Sequence, residues 1–355
     1  MKIMYCIAGE GRGHAYRTIP IIEHLKKKGH EIILFAGDTS YPLLQQFGAR
    51  KISSLRIVYV NNKVSNLLST IVNFIRVPWH IMSIARLAKA MLAEKPTVLI
   101  NDFETFSNYL AKLLRIPIIT VDNESIISSA KIEFPKKFWL NATKVWLVVK
   151  LLSPFADKRI IPTFFYPKLK DKHAILVPPI LRNEILSLKP SVKNHILVYQ
   201  TSKSNKSLIP ALRKFNEEFV VYGFGKKSKE NNILYRDDKQ KFITDLASCN
   251  AVITNGGFML ITEAIALKKP VLSLPIIGQF EQVLNGLYLE KLKLGICSFE
   301  TNEKTIKEFL QTKENIRKNH KIRKHSNKEF YAALDKGIGE LIEDDITYLT
   351  KCVVF

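Results

Sequence analysis

The stretch AVITNGGFMLITEAIALKKPVLSLPIIGQFEQVLNG, residues 251–286, decides the architecture of the second half of the chain. An apolar run, AVIT, leads into Asn255-Gly256-Gly257 and then at once into a segment of helical periodicity, so a strand ends in a glycine turn that opens a helix. The first N–H groups of such a helix have no partner within it, and its dipole is positive there. The turn is therefore an anion site suited to phosphate. Glu263 falls about two turns into the helix, where a carboxylate can accept hydrogen bonds from a ribose diol. After the next apolar run and Pro275, the loop offers Gln279, Glu281 and Gln282, side chains able to hold sugar hydroxyls. A plain glycine turn with surface polar residues is the alternative for each piece taken alone.

Working outward, the same alternation fills both halves. KIMYCIA (2–8), a helix over 15–28 closed by Gly29, and EIILFAG (31–37) form a βαβ unit, which implies a parallel sheet. A helical region over 64–93 should be divided at Pro78. Strand patterns follow at TVLIND and PIITVDN. Between 131 and 182 aromatic and basic residues dominate, and Pro178-Pro179 in LVPPILRNEI reads as an interdomain connection. Alternation then restarts from HILVYQTS. The reading is two α/β domains of similar size: residues 1–182, residues 183–325, and a C-terminal helix and tail, 326–355, expected to pack back toward the first domain. A length of 355 residues suits that division.

Composition bounds the rest. Hydrophobic residues at 46% and charged residues at 24% are ordinary for a globular chain. The four cysteines are scattered without a C-x-x-C pair, so neither a zinc site nor a disulfide framework is expected, and a reducing cytoplasm fits. The apolar run Ile3–Ala8 is too short for an export signal. The net charge of +22 would attract nucleic acid, an anionic membrane or anionic substrates, although a lysine-rich genome or plain solubility would also account for it. No common nucleic-acid motif is found, so no nucleic-acid partner is expected. Trp79, Trp139 and Trp146 lie among Lys and Arg in the apolar stretches 64–92 and 132–166, a composition suited to a membrane interface or to an ordinary core with solvated lysines.

The stretch AGEGRGH, residues 8–14, poses a separate question. Gly9 and Gly11 fit a dinucleotide fingerprint, and Asp38 follows the second strand where a ribose-binding carboxylate would sit. The third glycine position is His14, whose ring would block helix–strand packing, so a nicotinamide or flavin site is not the favoured reading. Gly9, Gly11 and Gly13 instead let the loop backbone approach a substrate. His14 stands at the start of the first helix, where the dipole should lower its pKa and keep it neutral.

Residues 251–286 resemble the donor-binding region of GT-B-fold glycosyltransferases, in particular the MurG-like and UDP-glucuronosyltransferase-like group. Those proteins carry a strand, a glycine turn, a helix with a glutamate, and an acidic-Gln-x-x-Asn loop, matched here by Glu281, Gln282 and Asn285. GEGRGH is similar to that group's N-terminal glycine loop ending in histidine. Asn255 stands where the group commonly has His; it can donate an amide hydrogen bond but cannot carry positive charge.

The resemblance implies two Rossmann-like domains with parallel sheets facing across a cleft, and inverting, metal-independent transfer of a sugar from a UDP-sugar to a hydroxyl. No cofactor is expected beyond the nucleotide sugar as substrate. His14 would be the base. Asp102, in NDFE at a strand end, would orient it or touch the acceptor, a helix N-cap being the other reading. Asn255, Gly256, Gly257, Glu263, Glu281 and Gln282 would bind the donor, joined by Thr201, Ser202 and, near the base, Phe242. The resemblance also implies a lipid-linked or cell-envelope acceptor and a cytoplasmic protein at the inner face of the membrane. Alternatives are a UDP-sugar epimerase of the same fold and a non-catalytic polyanion- or membrane-binding protein.

Overall fold

The computed structural model describes residues 1–200, 205–320 and 325–352. Two sheets of seven strands each organise the chain. In the first, strand Lys2–Ile7 pairs in parallel with Glu31–Gly37 on one side and with Val98–Asp102 on the other. The sheet continues through Ile118–Val121, Lys158–Pro162 and Ala174–Val177, all parallel. The last two strands lie in the aromatic-basic segment, where the sequence pattern had indicated a change of structure. The second sheet is built around His195–Tyr199, which pairs in parallel with Glu218–Tyr222 and Ala251–Thr254. Its one antiparallel strand, Ser228–Glu230, lies at the edge.

The alternation of side chains across a strand explains the layers. Ile3, Tyr5 and Ile7 enter one core with the first helix, Gly13–Lys27, while Met4 and Cys6 face Leu87, Met91 and Ala111 from helices Val77–Glu94 and Ser107–Leu113 on the opposite face. Burial on both faces suits the continuous apolar runs of parallel strands.

The chain crosses between domains at a defined point: Ile180 belongs to the first core and Leu181 to the second. It then returns. Helix Lys328–Cys352 places Phe330, Leu334, Ile338 and Leu341 in the first core, where Tyr331 also stacks on His24 with ring centres 4.1 Å apart. The helical region over 64–93 is two helices, Asn66–Ile75 and Val77–Glu94, with Pro78 in the first turn of the second and a bend of 61° between them.

A hairpin absent from the sequence reading ties the domains together. Tyr59–Val60 and Lys63–Val64 are joined through Asn61 and Asn62, both at positive φ, as a tight primed turn requires. Val64 N donates to Ile277 O at 2.9 Å and Ile277 N donates to Asn62 O at 3.0 Å, so the first domain clasps the loop after strand Val271–Ser273 of the second.

Candidate functional site

Both loops singled out by sequence lie where strand order reverses, the place at which open parallel sheets form a crevice beyond their C-terminal ends. In the first sheet the reversal falls between Lys2–Ile7 and Val98–Asp102, and the two strands deliver the glycine loop and Asp102. In the second it falls between His195–Tyr199 and Ala251–Thr254, and the latter delivers Asn255-Gly256-Gly257. Thr201 and Ser202 lie outside the described residues.

His14 Nδ1 is 2.7 Å from Asp102 Oδ1. Asp102 is fully buried and also accepts from Arg17, through Nε at 2.7 Å to Oδ2 and through Nη2 to Oδ1. Arg17 reaches on to Asn123 Oδ1. Asp102 is not a helix cap: Glu104 Oε2 takes that role, accepting from Phe106 N at 3.0 Å and Ser107 N at 2.7 Å. Glu124 stands beyond the imidazole, its Oε1 at 3.6 Å from His14 Nε2.

The expectation that His14 has a lowered pKa is corrected. Burial does push it down, but the Asp102 carboxylate, with Glu124, outweighs burial and the nearby Arg17, and the imidazole is held above its ordinary value. Two carboxylates at contact distance overcome a single helix dipole. Asp102 itself is pushed up by burial and pulled down further by Arg17 and His14, ending below the ordinary carboxylate value.

Close backbone approach explains the glycines. A Cβ at Gly9 would lie 2.5 Å from Asp38 N, and Gly11 has φ +75. A Cβ on Gly13 would lie 3.3 Å from Met259 Cγ, so the glycine loop abuts the start of helix Phe258–Ala266 in the other domain. That helix begins directly after Gly257 with no side-chain cap, and a Cβ on Gly257 would meet nothing within 4 Å. Its N-terminus is open. Gly256, at φ +95, packs against Ser273 Oγ and Gln282 O.

The other predicted donor residues are placed differently from one another. Glu281 faces the first domain, its Oε1 accepting from Asn123 Nδ2 at 3.0 Å and from Asn285 Nδ2 at 2.9 Å. Burial and then the charge of Glu124 push its pKa up to about 7. Gln282 turns inward instead of toward a sugar: its Oε1 accepts from Ile276 N at 3.0 Å and its Nε2 donates to Gln279. Gln279 in turn bonds Tyr59, whose hydroxyl donates to Glu10 Oε1 at 2.8 Å. Asn255 is buried and braces the turn by donating to Gln200 Oε1 at 2.9 Å.

Glu263 is a paired carboxylate rather than an open one. It is 2% exposed, and Arg182 donates from Nε to Oε1 and from Nη2 to Oε2, both at 2.6 Å. The Arg182 guanidinium lies 4.7 Å from the centre of the Tyr16 ring and 5.9 Å from that of Phe242. Phe242 is half-buried against Tyr199 and Tyr222. Asp38 is held on Oδ2 by Arg76 and by Arg56, the latter at 3.4 Å.

Arg17, Asn123, Glu124 and Arg182 were not anticipated. A signal existed for the first three. Arg17 follows His14 by three residues, on the same helix face, and VDNE ends the strand next to the one that ends in NDFE.

Comparison with known proteins agrees with this arrangement. The model of the family described as glycosyl transferase family 1 matches residues 1–313. A protein of Methanosarcina acetivorans described as an uncharacterized glycosyltransferase is 26% identical over 347 residues, covering 88% of this chain and 89% of its own. Among solved structures, the spinosyn forosaminyltransferase SpnP superposes with a TM-score of 0.65 at 14% identity, covering 96% of this chain and 99% of its own. Phytolacca americana UGT2, complexed with UDP-2fluoro-glucose and pterostilbene, gives 0.66 at 14% identity, covering 96% and 98%. The fold is GT-B.

Proposed function

From the premise that this chain belongs to glycosyl transferase family 1 and is a glycosyltransferase, we propose that it moves a sugar from a UDP-linked donor to a hydroxyl with inversion at the anomeric carbon. One observation carries the reading. The His14–Asp102 pair of the first domain faces the uncapped N-terminus of helix Phe258–Ala266 in the second, with the Gly13 backbone against Met259.

A base and an anion site on opposite walls of one cleft suit displacement at a carbon between them. In the tautomer that donates Nδ1–H to Asp102, His14 presents the lone pair of Nε2 to the acceptor hydroxyl and takes its proton as the new bond forms. Asp102 fixes that tautomer and stabilises the imidazolium, as in other carboxylate–histidine pairs. The diphosphate leaves into the free N–H groups after Gly257, where the helix dipole stabilises the developing charge. Glu281 and Glu124, close to the imidazole and each other, are positioned to accept from sugar or acceptor hydroxyls. Glu263, with one lone pair on each oxygen taken by Arg182, keeps another on each for a ribose diol. A lipid-linked or envelope-glycan acceptor at the inner face of a membrane completes the proposal.

The test is incubation with a panel of radiolabelled UDP-sugars, following transfer and hydrolysis, with product anomeric configuration read by NMR. Absence of both binding and turnover across the UDP-sugar panel overturns the reading; a retained configuration overturns inversion alone.

A further inference from the structure

From Leu55 to Trp79 no residue is buried, and none packs against a core cluster. The run holds the hairpin over 59–64 and helix Asn66–Ile75, and it braces itself instead. Asn73 takes both backbone groups of Arg56, accepting from its N and donating to its O, each at 2.8 Å. Val58 N donates to Ser69 Oγ at 2.9 Å and Ser65 N donates to Val58 O at 2.8 Å. Ser69 Oγ donates to Ser65 O at 2.7 Å. Hairpin and helix are thus one unit, residues 56–75, tied together by hydrogen bonds and without an apolar anchor. Its flanks are fixed: Ile52 before it, and Leu87 and Met91 of the helix beyond the 61° bend, enter the first domain's core.

The outward contacts of the unit are polar and reach both walls of the cleft. Tyr59 donates to Glu10 of the glycine loop and accepts from Gln279 of the second domain. The main-chain bonds of Val64 and Asn62 to Ile277 add the hairpin to the loop over 276–279. A Cβ at Gly278, whose φ is +93, would lie 3.1 Å from Val64 Cβ. That loop leads straight into helix Phe280–Lys291, which carries Glu281 and Gln282. At the other end Arg76 holds Asp38 and donates to Ser53 Oγ at 2.8 Å.

We propose that residues 56–75 are a hinged lid: clasped on the loop over 276–279 it bars the donor side of the cleft, and lifted it admits the nucleotide sugar. Opening breaks a few hydrogen bonds that water replaces and uncovers no core, so it belongs to the low-stability end of the molecule's motions. A swing about residues 53–55 and Arg76 leaves the bonds inside the lid intact. With the lid down, Gln279 is taken by Tyr59 and cannot meet a sugar hydroxyl; with it up, Gln279 is released. The lid stands on this geometry, and what it admits rests on the donor reading above.

Hydrogen exchange on the full chain tests the hinge without a ligand. Amides of Val64 and Ile277 should exchange together, about 100-fold or more faster than those of Ile100 and Val198 in the central strands. Equal protection overturns the lid. Val64→Cys with Gly278→Cys then brings two thiols within reach of a disulfide. Oxidised, this variant should bind the UDP-sugar panel about tenfold or more slowly than its reduced form, while wild type, with its four cysteines, is insensitive to the oxidant. Val64→Pro, which removes one donor of the clasp, should speed binding a few-fold. An oxidised form that binds as fast as the reduced one, or Val64→Pro at the wild-type rate, overturns the gate. If no UDP-sugar binds wild type, the donor reading falls and hydrogen exchange alone decides the lid.

Discussion

His14 Nδ1 and Asp102 Oδ1 stand 2.7 Å apart although 88 residues separate them in the chain. The parallel register of Lys2–Ile7 against Val98–Asp102 makes the meeting unavoidable, because Ile7 pairs with Asp102 and the glycine loop begins one residue later. The pair is thus set by the sheet and not by the mobility of a loop.

Replacing His14 with Ala should cost roughly 10²–10⁴-fold in turnover, the usual range for a general base. Affinity for the nucleotide sugar should change little, because the phosphate site proposed for it lies on the other domain. Single-turnover rates and calorimetric affinities on one preparation check this; near-normal turnover removes His14 as the base.

Asp102→Asn changes the pH profile as well as the rate. Only neutral His14 accepts a proton, so turnover rises with pH through an imidazole pKa held above its ordinary 6.5. Without the Asp102 charge, burial and Arg17 push that pKa down, and the acidic limb moves to lower pH. The plateau falls, by up to about 10⁴-fold, because tautomer and ring orientation are lost. A profile that keeps its acidic limb would assign the limb to another group.

Glu263→Ala strands a buried guanidinium between Tyr16 and Phe242. The expected loss is about 3–5 kcal/mol of folding stability, with Glu263→Gln milder because it keeps one acceptor. If Glu263 also holds a ribose diol, Glu263→Gln weakens donor binding beyond what its melting temperature explains. Urea denaturation and donor affinity measured side by side separate the two roles.

Glu281 makes folding depend on pH. Its carboxyl is raised from 4.5 to about 7, so between those values the folded protein keeps a proton that the unfolded chain has lost. Stability therefore falls as pH rises through that window. Glu281→Gln should flatten this slope and be relatively more stable on the alkaline side. Unfolding midpoints on both sides of the window measure it; an unchanged slope assigns the dependence to the other raised groups, Asp122 at about 6, Glu104 and His14 among them.

Local chemistry was legible and long-range pairing was not. The glycine turn at 255–257 and the helix after it follow from residues adjacent in sequence, as does the place of His14. The partners of Glu263 and Gln279 do not: Arg182 comes from the Pro-Pro connection and Tyr59 from a hairpin of the other domain, and neither has a local signature. The direction of the His14 shift was missed because the helix dipole is read from sequence, whereas the weight of the Asp102 carboxylate, with Glu124 beyond it, comes from strand ends far along the chain. Strands Lys158–Pro162 and Ala174–Val177 escaped notice because short strands among lysines and aromatics, the second of them at the sheet edge, lack the continuous apolar run of the central ones.

Helix Lys328–Cys352 gives the molecule a sequence of assembly. Phe330, Leu334 and Ile338 are made after the second domain yet complete the core begun by Ile3 and Tyr5. On the ribosome, the amino-terminal sheet must wait, one face only partly covered by its first helix, until the whole second domain has emerged. The second domain is in effect an insertion within the first, and it is free to close beforehand. Nascent-chain proteolysis would then find residues 195–297 protected before residues 2–177, the reverse of their order of synthesis.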